Sequence, residues 1–91
     1  MKDEDIERMK AALNEYHKWP SLYMFKFIVP ADNEKLAQVQ SLFNSKTAEV
    51  ISRPSKKGNF YSITAKEVMM SAQKVIEKYE KAAKIEGLIS L

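Results

Sequence analysis

The residues able to do chemistry are few, and the densest group lies in one stretch. Residues 52–60 read SRPSKKGNF, which places Arg53, Lys56 and Lys57 beside a glycine and an aromatic with no acid among them. Lysine next to glycine is the raw material of an anion cradle, because glycine frees backbone N–H groups and the ammonium supplies charge. The order is wrong for a P-loop: the first glycine is missing, Gly58 follows the lysines, and the segment leads into a strand pattern rather than a helix. Phosphate binding there would rest on charge alone. General acid and base catalysis needs titratable groups gathered in a pocket, yet the sole histidine, His17, stands at a helix end beside Lys18 and Trp19 and reads as a helix-terminal cation. There is no cysteine, which removes disulfides, thiolate metal sites and a cysteine nucleophile. Glu77 and Glu80 are followed by Lys78 and Lys81, the pattern of a solvated helix face rather than of a metal ligand set. The expectation is a protein that is not an enzyme, with no catalytic residue, no metal and no cofactor.

A chain of 91 residues that is 45% hydrophobic supports one core and one small domain. Its start, MKDEDIERMK, is too charged for the apolar region of a signal peptide, and no apolar run approaches the ~20 residues that cross a bilayer. A soluble, cytoplasmic protein with no membrane contact is expected. The formal charge of +3 is concentrated: residues 50–66 hold Arg53, Lys56, Lys57 and Lys66 and no acid, while the remainder has eleven basic against twelve acidic residues. Four cations are a short footprint for nucleic acid, whose binding accumulates over many phosphates. A solvated hairpin is the plainer reading.

These residues must be placed by elements. Ile6, Met9, Leu13 and Tyr16 recur every three or four positions and mark a helix, with acids in its first turn. Pro20 ends it by Trp19. LYMFKFIV, residues 22–29, reads as a strand closed by Pro30. Asp32 is a suitable N-cap for a second helix through about Phe43, burying Leu36, Val39 and Phe43. TAEVISR and NFYSITAK read as two strands of a hairpin turned by PSKKG. A third helix is expected over about 67–83, with Val68, Ala72, Val75, Ile76, Tyr79 and Ala83 on one side, and IEGLISL as a last short strand. The order predicts an α+β fold, a ferredoxin-like βαββαβ sandwich with a four-stranded antiparallel sheet, plus an extra N-terminal helix. Residues 1–18 form that amphipathic helix and 19–91 the ferredoxin-like domain, with its first and third strands in the middle of the sheet.

Alternation divides the sheet into two faces. Tyr23, Phe25, Phe27, Val29, Tyr61, Ile63 and Ala65 belong under the helices, while Met24, Lys26, Ile28, Phe60, Ser62, Thr64 and Lys66 face away, with Ile51 and Leu88 expected to join them. A half-apolar face left to water is unusual, so the leading helix is expected to lie across it, or the face to pair with a second copy in a homodimer. KGNFY echoes the Lys-Gly-aromatic motif of RNA-recognition domains, but its stacking positions fall at Asn59 and Tyr61, on the helix side. Met69 and Met70 read as core filler, and Trp19 as a pin between helix and sheet.

WPSLYMFKFIVP, SRPSKKGNFYSITAKEV and EKYEKAAKIEGLISL together resemble the YbeD-like family of small uncharacterised bacterial proteins, the domain of unknown function 493. The likeness covers about residues 19–91. It implies the ferredoxin-like fold and a shape similar to ACT domains, which bind amino acids and regulate metabolic enzymes; it carries no activity. The family's hairpin motif falls on Pro54, Ser55, Lys57 and Gly58. The function expected is a non-catalytic regulatory or adaptor domain that binds a protein partner or a small metabolite, with Arg53, Pro54, Ser55, Lys56, Lys57, Gly58 and Asn59 as the partner-binding hairpin. Shape alone does not convey function, and the turn after the first strand, PADNEK, lacks the glycine of ACT-type ligand sites. A protein partner is therefore the first expectation. The alternative is a nucleic-acid-binding module using the basic 53–66 hairpin.

Overall fold

The computed structural model describes residues 2–91. The chain runs α1 (Asp3–Tyr16), β1 (Ser21–Pro30), α2 (Asn33–Gln40), β2 (Glu49–Pro54), β3 (Phe60–Met69), α3 (Ala72–Ala82) and β4 (Ile89–Ser90). The four strands form one antiparallel sheet in the order β2-β3-β1-β4, so the first and third strands lie in the middle as expected. β1 and β3 pair over their full lengths, from Ser21 opposite Met69 to Pro30 opposite Phe60.

Local chemistry sets the helix starts. The Asp32 side chain accepts a hydrogen bond from the Glu34 N–H, and Ser71 accepts one from the Lys74 N–H; each satisfies a donor that the first helical turn leaves free. Ser71 also corrects the third helix, which begins at Ala72 rather than near residue 67. Residues 67–69 continue β3, because Glu67 and Met69 extend the inward series of Tyr61, Ile63 and Ala65 by strict alternation. Val68 consequently faces away from the helices and is exposed, and Ala82 rather than Ala83 is the buried alanine at the end of α3. α2 stops at Gln40; Leu42 and Phe43 follow in tight turns donating to Val39 and Gln40 carbonyls, which still carries Phe43 into the core.

The core is one cluster. Phe25, Phe27 and Val29 of β1 and Ile63 and Ala65 of β3 pack against Val39, Phe43, Val75 and Ile76. The Phe25 ring lies 5.3 Å from Phe43 and 5.2 Å from Tyr79, in tilted contacts that aromatic quadrupoles favour.

The leading helix does not lie across the open sheet face. α1 packs against α3 in the helix layer, Leu13 is buried in the common core, and Ile6 and Met9 pack on it. Its stripe had a second home that spacing could not reveal, beside α3. Tyr16, placed in that stripe by its spacing, is instead exposed, because the helix ends there and the chain turns toward β1. Trp19 does pin the helix to the sheet: its indole N–H donates to Asn14 Oδ1 at 2.8 Å while its ring packs on the core. The last strand is two residues rather than seven. Leu88 packs on the core, and Ile89, paired with Ile28, takes the open-face position expected for Leu88. Met69 is buried, whereas Met70 is exposed.

Candidate functional site

The basic hairpin loop is built by the residues that carry no charge. Pro54 is the last strand residue, opposite Tyr61. Ser55 closes the loop twice, its N–H donating to Phe60 O at 2.8 Å and its hydroxyl accepting from the Phe60 N–H at 3.1 Å. Gly58 N–H donates to Ser55 O at 2.9 Å from a backbone at φ 74°, which glycine adopts without the penalty a side chain meets. Asn59 O accepts from the Ala31 N–H at 2.9 Å, tying the loop to the end of β1. Ser55, Gly58 and Asn59 are thus occupied with shaping the turn. Lys56 and Lys57 are left exposed at its tip, and neither makes an ion pair among the described residues.

Arg53 belongs to a different surface. It sits opposite Ser62, on the face of the sheet that no helix covers. There Met24 and Ile28 meet Phe60, as sequence alternation predicts, and Ile51 joins them. Leu22 and Val68, opposite one another at the far end, extend the patch and are 60% and 56% exposed. Lys26 and Lys66 stand in its middle on the two central strands, with Glu49 opposite Lys66. Neither lysine forms an ion pair among the described residues. The result is an apolar sheet face with a cationic centre.

The helix side holds polar groups too. Glu67, buried on the inner face of β3, lies 3.3 Å from Lys78 Nζ and accepts from the Asn44 N–H at 3.1 Å. Lys78 also donates to Leu42 O and lies over the Phe43 ring, 4.8 Å from its centroid. This corrects the reading of Lys78 as part of a solvated face. The pair fastens the turn after α2 to both β3 and α3; the signal for it was Glu67 at an inward position of the alternating series. Tyr23 and Tyr79 share a hydrogen bond of 3.0 Å between hydroxyls, and burial, with that bond, pushes the Tyr79 phenol well above its ordinary value. His17 stacks on Trp19 at 5.2 Å, and its Nδ1 lies 3.4 Å from Ser21 Oγ.

Two shallow clefts open on the surface. One of about 380 Å³ is rimmed by Asp32, Glu34, Lys35, Gln38, Lys84 and Glu86, charges of both signs. The other, about 290 Å³, lies against Gln40, Phe43, Ser45, Ala48 and Val50. Neither gathers a nucleophile with a base. Among the described residues no three His, Asp or Glu side chains converge as a metal site, and no helix is long and apolar enough to cross a membrane.

Residues 14–90 match the model of a family described as a protein of unknown function, DUF493, and the chain belongs to that family. The match bears out the resemblance carried by the hairpin and the flanking strands. It begins at Asn14, so Ile6, Met9 and Leu13 of α1 precede it. No curated protein and no solved structure matches the chain.

Proposed function

We propose that this DUF493-family domain is a non-catalytic adaptor or regulatory module that binds an acidic protein partner on its open sheet face, beside the basic hairpin. The observation that carries the reading is the uncovered face itself, with Leu22, Met24, Ile51, Phe60, Val68 and Ile89 all exposed around Lys26 and Lys66. Large apolar patches at a surface mark interaction sites. The charge selects the partner: stacking the face on its own copy would set Lys26, Lys66 and Arg53 against the same cations with only Glu49 to offset them, whereas carboxylates satisfy them. The element order after α1 and the β2-β3-β1-β4 sheet support a ferredoxin-like, ACT-like reading, and a cytoplasmic location agrees with the absence of cysteine.

A small metabolite is the weaker version, since neither cleft has the apolar enclosure such ligands use. Nucleic acid is weaker still: among the described residues Phe60 is the lone aromatic on the open face, and Tyr61 turns to the helix side. The test places a photo-crosslinking amino acid at Phe60 in native cells. A discrete protein adduct that disappears with Lys66→Glu but survives Lys57→Glu supports the reading. An adduct indifferent to Lys66, or a thermal shift with one metabolite and no adduct, overturns it.

A further inference from the structure

We propose that the chain dimerises side by side, the outer edge of β2 pairing antiparallel with β2 of a second copy in the register that sets Ile51 opposite its own counterpart. This goes beyond the acidic-partner reading and concerns a different surface, the rim of the sheet rather than its face. In an antiparallel ladder, alternate residues aim their N–H and C=O groups at opposite neighbours. The Ser55 N–H donates to Phe60 O at 2.8 Å, one step beyond Pro54 opposite Tyr61, so odd-numbered residues of β2 bond to β3 and even-numbered ones point outward. The outward donors and acceptors are those of Val50 and Ser52. Among the described residues no hydrogen bond outside the sheet's own ladders takes them. An edge with free backbone groups is a template for another strand.

The charges along the edge select the occupant. Glu49, Ile51 and Arg53 share the open-face side of β2 and are exposed, and neither charge forms an ion pair among the described residues. With Ile51 on Ile51 of the second copy, Glu49 falls opposite the second copy's Arg53, and Arg53 opposite its Glu49. Both are non-hydrogen-bonded positions, where opposed side chains approach most closely. Val50 and Ser52 then exchange hydrogen bonds with Ser52 and Val50 of the second copy. Pro54, which has no N–H, meets Ala48, whose N–H already donates to Asn44 O at 2.8 Å, so no donor is stranded. The Pro54 ring arrives at the cleft along Phe43, Ala48 and Val50. A slip of two residues either way sets two Arg53 or two Glu49 side chains diagonally across the strands, and only the first register puts opposite charges face to face. The contact is isologous, as a two-fold requires. It places both helix layers on one side and joins the two open faces into one surface of eight strands on the other.

Sedimentation equilibrium of the full chain tests the pairing. A monomer–dimer equilibrium is expected, with amide exchange at Val50 and Ser52 slowing as the protein concentration rises. Arg53→Glu and Glu49→Arg should each weaken dimerisation roughly tenfold or more, because each sets two like-charge pairs across the edge. An equimolar mixture of the two variants should dimerise like the parent, since each then faces the complementary charges of the other. That restoration also shows that both variants fold. The chain has no cysteine, so Ile51→Cys reads the register: a non-hydrogen-bonded pair has the spacing a disulfide needs, and a linked dimer should form in glutathione buffer. Val68→Cys, exposed on the central strand β3, should stay unlinked. A monomer at millimolar concentration, a dimer indifferent to both charge reversals, a mixture no better than either variant alone, or linkage through Val68→Cys but not Ile51→Cys would each overturn the proposal.

Discussion

Glu67 is the charged residue that the fold withdraws furthest from water, and the reason is Lys78. Breaking a buried pair leaves one charge without compensation, which costs more than the pair contributes. The two side chains retain 11% and 18% exposure, so Lys78→Met should destabilise by about 2 kcal/mol in urea unfolding rather than the larger cost of a fully buried pair. Glu67→Gln should cost about 1 kcal/mol, since its amide oxygen still accepts from Asn44. The double variant should lose less than the two single losses added together. Tyr79 gives a pH dependence with a definite sign. Its folded value lies above the ordinary 10.0, so its contribution is complete below pH 10 and is lost as the pH rises further. Tyr79→Phe should flatten that alkaline limb while costing about 1 kcal/mol at neutral pH through the lost Tyr23 bond.

The glycines that matter belong to the connections between elements, and they differ in kind. Gly58 and Gly87 both have positive φ, 74° and 82°. A Cβ at Gly58 would meet nothing within 4 Å, whereas one at Gly87 would lie 2.9 Å from Pro30 Cγ. Asn tolerates the left-handed region, so Gly58→Asn should cost only a few tenths of a kcal/mol and Gly87→Asn about 2 kcal/mol or more. Thermal unfolding of the two variants makes the comparison. Gly58 was legible in PSKKG because a turn demands such a residue; the close approach of Gly87 to Pro30 joins positions far apart in sequence and leaves no local trace. The third helix shows the same limit, since Val68 fits a helical stripe as well as a strand. Ser71 and the inward Glu67 decide the matter only once Lys78 is seen to be in reach.

At the scale of the molecule, the helices, α1 included, form the layer that covers one side of the sheet and leaves the other bare. Val68→Thr and Ile51→Thr should leave unfolding stability within about 0.5 kcal/mol of the parent, because both residues are exposed, at 56% and 43%, and lie on the face that no helix covers. The same changes should weaken capture of the Phe60 cross-linked partner. A loss of several kcal/mol on either substitution would mean that the face is covered after all, by a second copy.

Periodicity and punctuation in the sequence were enough for the helix and strand order, the central strands, the inner and outer residues of β1 and β3, and the hairpin, because each depends on neighbours a few positions away. The family likeness was legible for the same reason, in short motifs kept in order. Tertiary structure alone decided where α1 packs and which carboxylate is buried. Those depend on which surfaces meet across the fold: an apolar stripe is satisfied equally by a sheet face or by α3, and only the assembled chain shows which one it uses.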